Sequence, residues 1–401
     1  MQQRFWFIDK VSALRTAYLA PVLAEFAGPV DVERLRAATE LVLGRHPALR
    51  SRFMLNAKQR KVFYRTDGSA PEVHVTDAAQ WTETELAEHL AQVCWTPFDL
   101  ATEAPAYGEI VTTADRTLLV LVTHHIVADG WSHQVLAEQI SQAYQGKSLA
   151  DPVHPAAITT GETGAEEIIA SLAGAPIDIE LPHDSSRGQV QSTEGTTLTT
   201  TLPAHVTTKL QELGSTTFMT VAAVLAVALA RRGTQRDFLF AFPWAGRDKA
   251  QDAVGMFVNT LVLRVDLRDE PTWRQLLERV REHSTTCYRN ADVPFDAIAT
   301  ALHPGRDLSR PAVTPVYVTA LPGHAAPPDL GAPARYLQPE PLHIKYELEL
   351  TATDTTEELE LSLAYATALF EKSTVDDLLA SVVTAATDLA IDPDAPALKE
   401  I

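Results

Sequence analysis

An unbroken apolar run at positions 118–122 leads through Thr123 to two adjacent histidines, His124 and His125. Ile126, Val127, Ala128, Asp129, Gly130, Trp131 and Ser132 follow, and apolar residues then recur as Val135, Leu136, Ala137 and Ile140. A short apolar run passing into helical periodicity predicts a strand, a tight loop and the start of a helix. Successive side chains on a strand point to opposite faces. If the strand runs extended to its end, the two histidines cannot both face one substrate. One can enter a cavity while the other is held inside the protein. Asp129, four residues on, can return to fix the loop. Gly130 leaves its backbone N–H open to close approach by a ligand, and a helix beginning near Ser132 adds its positive end.

This arrangement suits acyl transfer. The nucleophile needs a base near neutral pH, and imidazole titrates near pH ~6.5. The tetrahedral intermediate needs N–H donors aimed at its oxyanion. One loop can supply both. A single histidine after a strand is more often structural, but a doubled one with Asp and Gly in fixed order is rarer. Adjacent histidines on opposite faces make poor metal co-ligands, so no metal is expected.

The size of the chain sets the frame for that loop. Its 401 residues exceed one typical compact unit and suggest two lobes. A net charge of -19 argues against nucleic acid and against a polybasic membrane surface. The two cysteines, Cys94 and Cys287, form no C-x-x-C pair, so neither a zinc site nor a disulfide framework is expected. No signal peptide is visible. No apolar segment approaches the ~20 residues of a spanning helix, and the cytoplasm is the expected compartment.

The stretch from His124 to Gly130 resembles the HHxxxDG motif of the condensation domains of nonribosomal peptide synthetases, in the chloramphenicol-acetyltransferase-like superfamily. Further motifs resemble that family in order along nearly the whole chain. Gln2, Gln3, Arg4, Phe5, Trp6 and Phe7 resemble its first motif, S-x-A-Q-x-R-L-W-F, and the chain begins partway through it, as expected of an excised domain or a trimmed N-terminus. Arg45, His46, Leu49, Arg50 and Phe53 resemble R-H-E-x-L-R-T-x-F, with Pro47 in place of Glu. Pro97, Phe98, Asp99 and Leu100 match P-F-D-L. Arg247, after a buried strand at 238–242, resembles the end of G-x-x-x-x-x-R, in which the Arg sits near the lobe junction. Gly255, Phe257, Val258, Asn259 and Thr260 match G-x-F-V-N-T. Asp292, Val293, Pro294, Phe295 and Asp296 resemble D-V-P-F-E.

The resemblance implies an α/β fold of two chloramphenicol-acetyltransferase-like lobes in a V-shaped pseudo-dimer, with mixed sheets covered by helices. The first lobe is expected over 1–150, a linker over 151–194 and the second lobe over 195–401. It also implies amide formation between an acyl or peptidyl thioester donor and an aminoacyl acceptor. Both would ride on phosphopantetheine arms of peptidyl carrier proteins, with an adenylation domain in the parent synthetase. No cofactor bound by the chain itself is expected, and the chain is expected to be monomeric. His125 is assigned as general base or positioning group, Gly130 as oxyanion donor, and His124 as the protein-facing orienter. Asp129 is structural and is expected to pair with Arg50. Asn259, Ser132 and Trp131 are expected to contact substrate in the channel, although Asn259 serves equally well as a cap for a backbone turn. Ester-forming or starter-acylating relatives would use the same residues. A non-catalytic docking module of the same fold usually lacks the second histidine.

Overall fold

The computed structural model describes residues 2–10, 14–28, 30–56, 58, 61–66, 68–153, 164–247, 250–303, 305, 307–355 and 358–398. Part of the expected linker, 154–163, lies outside them. The chain forms two compact units. The first comprises Met1–Ile158 with Ala245–Val258 and Ala325–Leu342, and the second comprises Thr159–Trp244, Asn259–His324 and His343–Ile401.

The first unit is built on a five-stranded sheet with the histidine strand, Arg116–His124, in its middle. Every residue of that strand after Arg116 is buried. A strand covered on both faces reads as a continuous apolar run rather than an alternating one, which is why 118–122 carries no polar residue. Leu19–Ala27 runs antiparallel beside it and sets Leu19 opposite His124. Ala106–Thr112 runs antiparallel on the other side, with Ala106 opposite Thr123. Val73–Asp77 adds a parallel edge strand. Helix Val32–Arg45 starts at Asp31, whose carboxylate accepts the Arg34 amide at 3.0 Å. It packs beside helix Gly130–Tyr144. Leu35, Val42 and Leu43 of the first and Leu136 and Ile140 of the second share one apolar core with Phe26 and Val120.

Two later segments belong to this unit. Ala334–Leu337 pairs antiparallel with Leu19–Ala27 and forms the far edge of the sheet. Segment 245–258 packs on the histidine loop, through contacts given below. The expected second lobe, 195–401, is therefore interrupted twice in its packing.

The second unit has a mixed sheet whose strands follow the order Glu194–Leu202, Leu359–Ala366, Leu348–Asp354, Val316–Leu321, Asp237–Trp244 and Asn259–Asp266. Val316–Leu321 is parallel to both neighbours, and the other pairings are antiparallel. Helix Thr217–Ala230 is buried at every position from Met219 onward, as its Ala-rich apolar run predicts. Among the described residues no single helix is long and apolar enough to cross a membrane. Leu342–His343 and Leu348–Asp354 are separate strands. Glu347 accounts for the break. It is fully buried and takes Arg187 Nε at 2.6 Å and His183 Nε2 at 2.9 Å, so the residues before Leu348 serve a side-chain network.

Candidate active site

The strand Arg116–His124 ends at the first histidine, and the chain turns at once. The Val127 amide donates to His124 O at 3.0 Å. His124 is fully buried, whereas His125 is half-buried. The alternation expected from the strand thus separates the two rings into different surroundings.

Their hydrogen bonds separate them further. The Ile126 amide donates to His124 Nδ1 at 3.0 Å. An amide N–H only donates, so this nitrogen carries the lone pair and the ring proton sits on Nε2. His125 Nδ1 lies 3.2 Å from Ala128 O. A carbonyl only accepts, so here the proton sits on Nδ1 and Nε2 has the lone pair. The His125 amide donates to Tyr18 O at 2.9 Å and anchors the ring's backbone to the neighbouring strand end. The two adjacent imidazoles are opposite tautomers, and only His125 presents a basic Nε2 from a partly exposed position.

Asp129 caps the helix that follows. Its Oδ1 accepts the Ser132 amide at 2.9 Å and the Ser132 hydroxyl at 2.8 Å, and the Asp129 amide returns to Ser132 Oγ. Helix Gly130–Tyr144 therefore begins with a reciprocal cap. Gly130 is its first residue, exposed, with open space where a Cβ would stand. The first amides of a helix have no intrahelical acceptor, so the Gly130 N–H points outward at the positive end of the macrodipole.

The partner of Asp129 is Arg247, not Arg50. Arg247 Nη2 lies 2.5 Å from Asp129 Oδ1. The same guanidinium donates to Ser132 Oγ at 2.9 Å and to Ala253 O at 2.6 Å, and it stacks 4.3 Å over the Phe257 ring. The Phe257 amide closes the knot by donating to Asp129 Oδ2 at 3.1 Å. Burial pulls the Arg247 guanidinium below its ordinary pKa, and Asp129 opposes that. Gly246 makes the approach feasible: its φ is +61°, and a Cβ there would lie 2.9 Å from Phe257 O. Arg50 ends the short turn Pro47–Arg50, and its Nε is buried without a hydrogen-bond partner among the described residues.

Two further residues are engaged with backbone groups. Ser132 is fully buried, and its Oγ also lies 2.8 Å from Gly255 O and accepts the Gly255 amide at 3.1 Å. It is a tie between the loop and segment 245–258 rather than a channel contact. Asn259 lies in the second unit and is buried. Its Nδ2 donates to Ala291 O and Val293 O at 2.8 and 2.7 Å, and its Oδ1 accepts the Thr260 and Phe295 amides. The backbone-capping role is the one it fills. Trp131 is 42% exposed, and its Nε1 donates to Gln251 O at 2.8 Å. His133 lies beneath the loop with Nε2 2.8 Å from Thr123 Oγ1, and burial lowers its pKa to about 4. A cavity of about 650 Å³ opens elsewhere in the first unit, around Tyr107, Glu109 and His89, and neither motif histidine lines it.

Two α/β units with mixed sheets, one ending its central strand at the first of the paired histidines, give the fold of the condensation-domain structures. The family model of the condensation domain matches residues 1–157 and 170–400, and the chain belongs to that family. It is 31% identical, over 98% of its length, to the dimodular nonribosomal peptide synthase of Bacillus subtilis (strain 168), of which it spans 18%. Among solved structures it resembles the X-domain from teicoplanin biosynthesis, with TM-score 0.86 and 23% identity over 100% of this chain and 96% of that one. It also resembles the first condensation domain of the calcium-dependent antibiotic synthetase bound to a substrate analogue. There the TM-score is 0.78 with 20% identity, over 99% of this chain and 97% of that one. At these identities the two structures speak for the fold alone.

Proposed function

We propose that the chain catalyses amide bond formation between an acyl or peptidyl thioester and an aminoacyl acceptor, each carried on the phosphopantetheine arm of a peptidyl carrier protein. The observation that carries this reading is the His125 tautomer. Its Nδ1–H is engaged by Ala128 O, which leaves a basic Nε2 on a partly exposed ring beside an exposed helix N-terminus.

The chemistry follows from that geometry. The acceptor amine attacks the thioester carbon, a C–N bond forms, and the carbonyl oxygen becomes an oxyanion. The Gly130 amide is the donor this reading assigns to that charge. His125 Nε2 takes the proton from the attacking nitrogen. The tetrahedral intermediate collapses, the C–S bond breaks, and the thiolate leaves with a proton returned through His125. Thioesters are already activated, so holding two tethered reactants together supplies most of the rate. The base adds about 100- to 10,000-fold. Asp129 and Arg247 do not touch substrate; they set the loop. Carrier proteins and an adenylation domain are the partners this reaction requires.

The test supplies purified donor-loaded carrier together with an amine-loaded carrier, an alcohol acceptor or no acceptor, and weighs the products. Amide formation that falls about 100-fold or more in His125→Ala, with the fold intact by circular dichroism, supports the reading. Ester product would redirect it to an ester-forming relative. Equal product from wild type and His125→Ala would refute it and leave a docking role for the same fold.

A further inference from the structure

Asp9 closes the helix Gln2–Asp9 and is 1% exposed. None of the roles assigned above uses it, although a buried carboxylate is retained only where partners stabilise it. Among the described residues, three cationic or imidazole groups face it. Arg15 Nε lies 3.3 Å from Oδ1, Lys10 Nζ lies 3.3 Å from Oδ2, and His124 Nε2 lies 3.8 Å from Oδ1. Arg15 is itself held in place by donating from Nη2 to Phe98 O at 2.8 Å.

We propose that Asp9 is a positioning residue for the histidine loop. Its carboxylate holds His124 as the Nε2–H tautomer, so that His124 Nδ1 stays an acceptor for the Ile126 amide and the turn presents His125 in its basic form. The inference rests on the acyl-transfer reading above and extends it to a residue 116 positions upstream of His125.

A neutral imidazole has two tautomers, and in a fully buried ring the neighbours choose between them. The Asp9 carboxylate, with Arg15 and Lys10 beside it, lies 3.8 Å from Nε2 and favours a proton on that nitrogen; at this separation the effect is electrostatic rather than a hydrogen bond. The opposite tautomer would set Nδ1–H against the Ile126 N–H, donor against donor, at a 3.0 Å separation. The turn would then have to open, although the His125 amide is pinned to Tyr18 O and the Val127 amide to His124 O. His125 would lose the orientation that brings Nδ1–H to Ala128 O.

The experiment reads the tautomer directly. Long-range proton–nitrogen correlation spectra of the ¹⁵N-histidine-labelled protein, recorded without substrate, should show His124 protonated on Nε2 and His125 on Nδ1. Asp9→Leu keeps the branching of the side chain and removes the charge. It should move His124 toward the Nδ1–H form and lower kcat by about tenfold or more with little change in KM. Asp9→Asn, which keeps an acceptor and is the milder replacement should Asp9→Leu not fold, should give a mixed signature. His124→Asn retains an acceptor near Nδ1, and in that background Asp9→Leu should cost less than about twofold further. A wild-type spectrum with His124 protonated on Nδ1 overturns the inference. So does an unchanged His124 signature in the Asp9 variants, or an Asp9→Leu defect that persists undiminished in the His124→Asn background. The spectra need no turnover, so their outcome is separable from that of the amide-formation test.

Discussion

Replacing Arg247 by Met tests the buried knot quantitatively. The guanidinium donates to Asp129 Oδ1, Ser132 Oγ and the carbonyls of Ala250, Ala253 and Gly255. Removing one member of a buried ion pair costs about 3–5 kcal/mol, because the other charge is stranded. Asp129 would keep the Ser132 amide, the Ser132 hydroxyl and the Phe257 amide. Those bonds place the loss near the lower end, about 3 kcal/mol. The abandoned carbonyls add about 1 kcal/mol. Methionine retains the apolar contact over Phe257, so little packing energy is lost. The expected total is about 4 kcal/mol, roughly a thousandfold in the folding equilibrium. Urea denaturation followed by tryptophan fluorescence and circular dichroism measures it. Arg50→Met is the control and should cost less than about 1 kcal/mol, since Arg50 pairs with no carboxylate among the described residues. Combining Arg247→Met with Asp129→Asn should recover at least about 1 kcal/mol relative to the sum of the single losses. A loss below about 1 kcal/mol in Arg247→Met, or a larger one in Arg50→Met, would refute the assignment.

Three further outcomes are expected. Gly130→Pro removes an amide at the first helical position, where proline is tolerated, and Asp129 at φ -123° and ψ 177° accepts a following proline. It should fold normally yet lower amide formation by about 100-fold, whereas Gly130→Ala should do neither; equal rates for both remove the Gly130 amide from the mechanism. Asn259→Ala removes the donor from Ala291 O and Val293 O, and should cost about 2–4 kcal/mol in urea denaturation with Asn259→Asp no better; a near-neutral effect would show that the 291–295 loop does not depend on it. Burial lowers the pKa of His46, His133 and His283 to about 4. The unfolded chain therefore binds more protons between pH 6.5 and 4, and each histidine withdraws up to about 3 kcal/mol of stability as pH falls through that window. Unfolding free energies that stay level from pH 7 to 4.5 would contradict it.

The histidine loop was legible because all its determinants are local. A central strand shows itself as an apolar run, and Asp129 stands where a helix cap must stand. The counter-ion was not legible. Arg50 lies beside a family motif, whereas Arg247 reaches Asp129 across 118 positions of chain, and nothing in periodicity reports such a pairing. The backbone partners of Ser132 and Asn259 were not legible, because a sequence does not show which backbone amides and carbonyls will need partners once buried. The strand Leu19–Ala27 carried no clear signal either. Pro21, three alanines and Glu25 give it weak strand propensity, and its place beside the histidine strand comes from pairing on both sides. The edge strand Ala334–Leu337 escaped for the same reason, lying in a Pro- and Ala-rich stretch whose pairing partner is some 310 residues away.

The interrupted course of the first unit has a consequence for biosynthesis. When a ribosome has made the first 158 residues, the carboxylate at 129 still lacks its cation, and one edge of the central sheet is still bare. Neither arrives until residues 247 and 334–337 have been translated. At ordinary elongation rates of about 5–20 residues per second the nascent segment waits about ten seconds or more for the last of them. A gene cut after the first stretch would therefore yield a fragment with an open strand and a stranded charge, and exchanging the front half of this chain for that of a relative must carry both later returns with it.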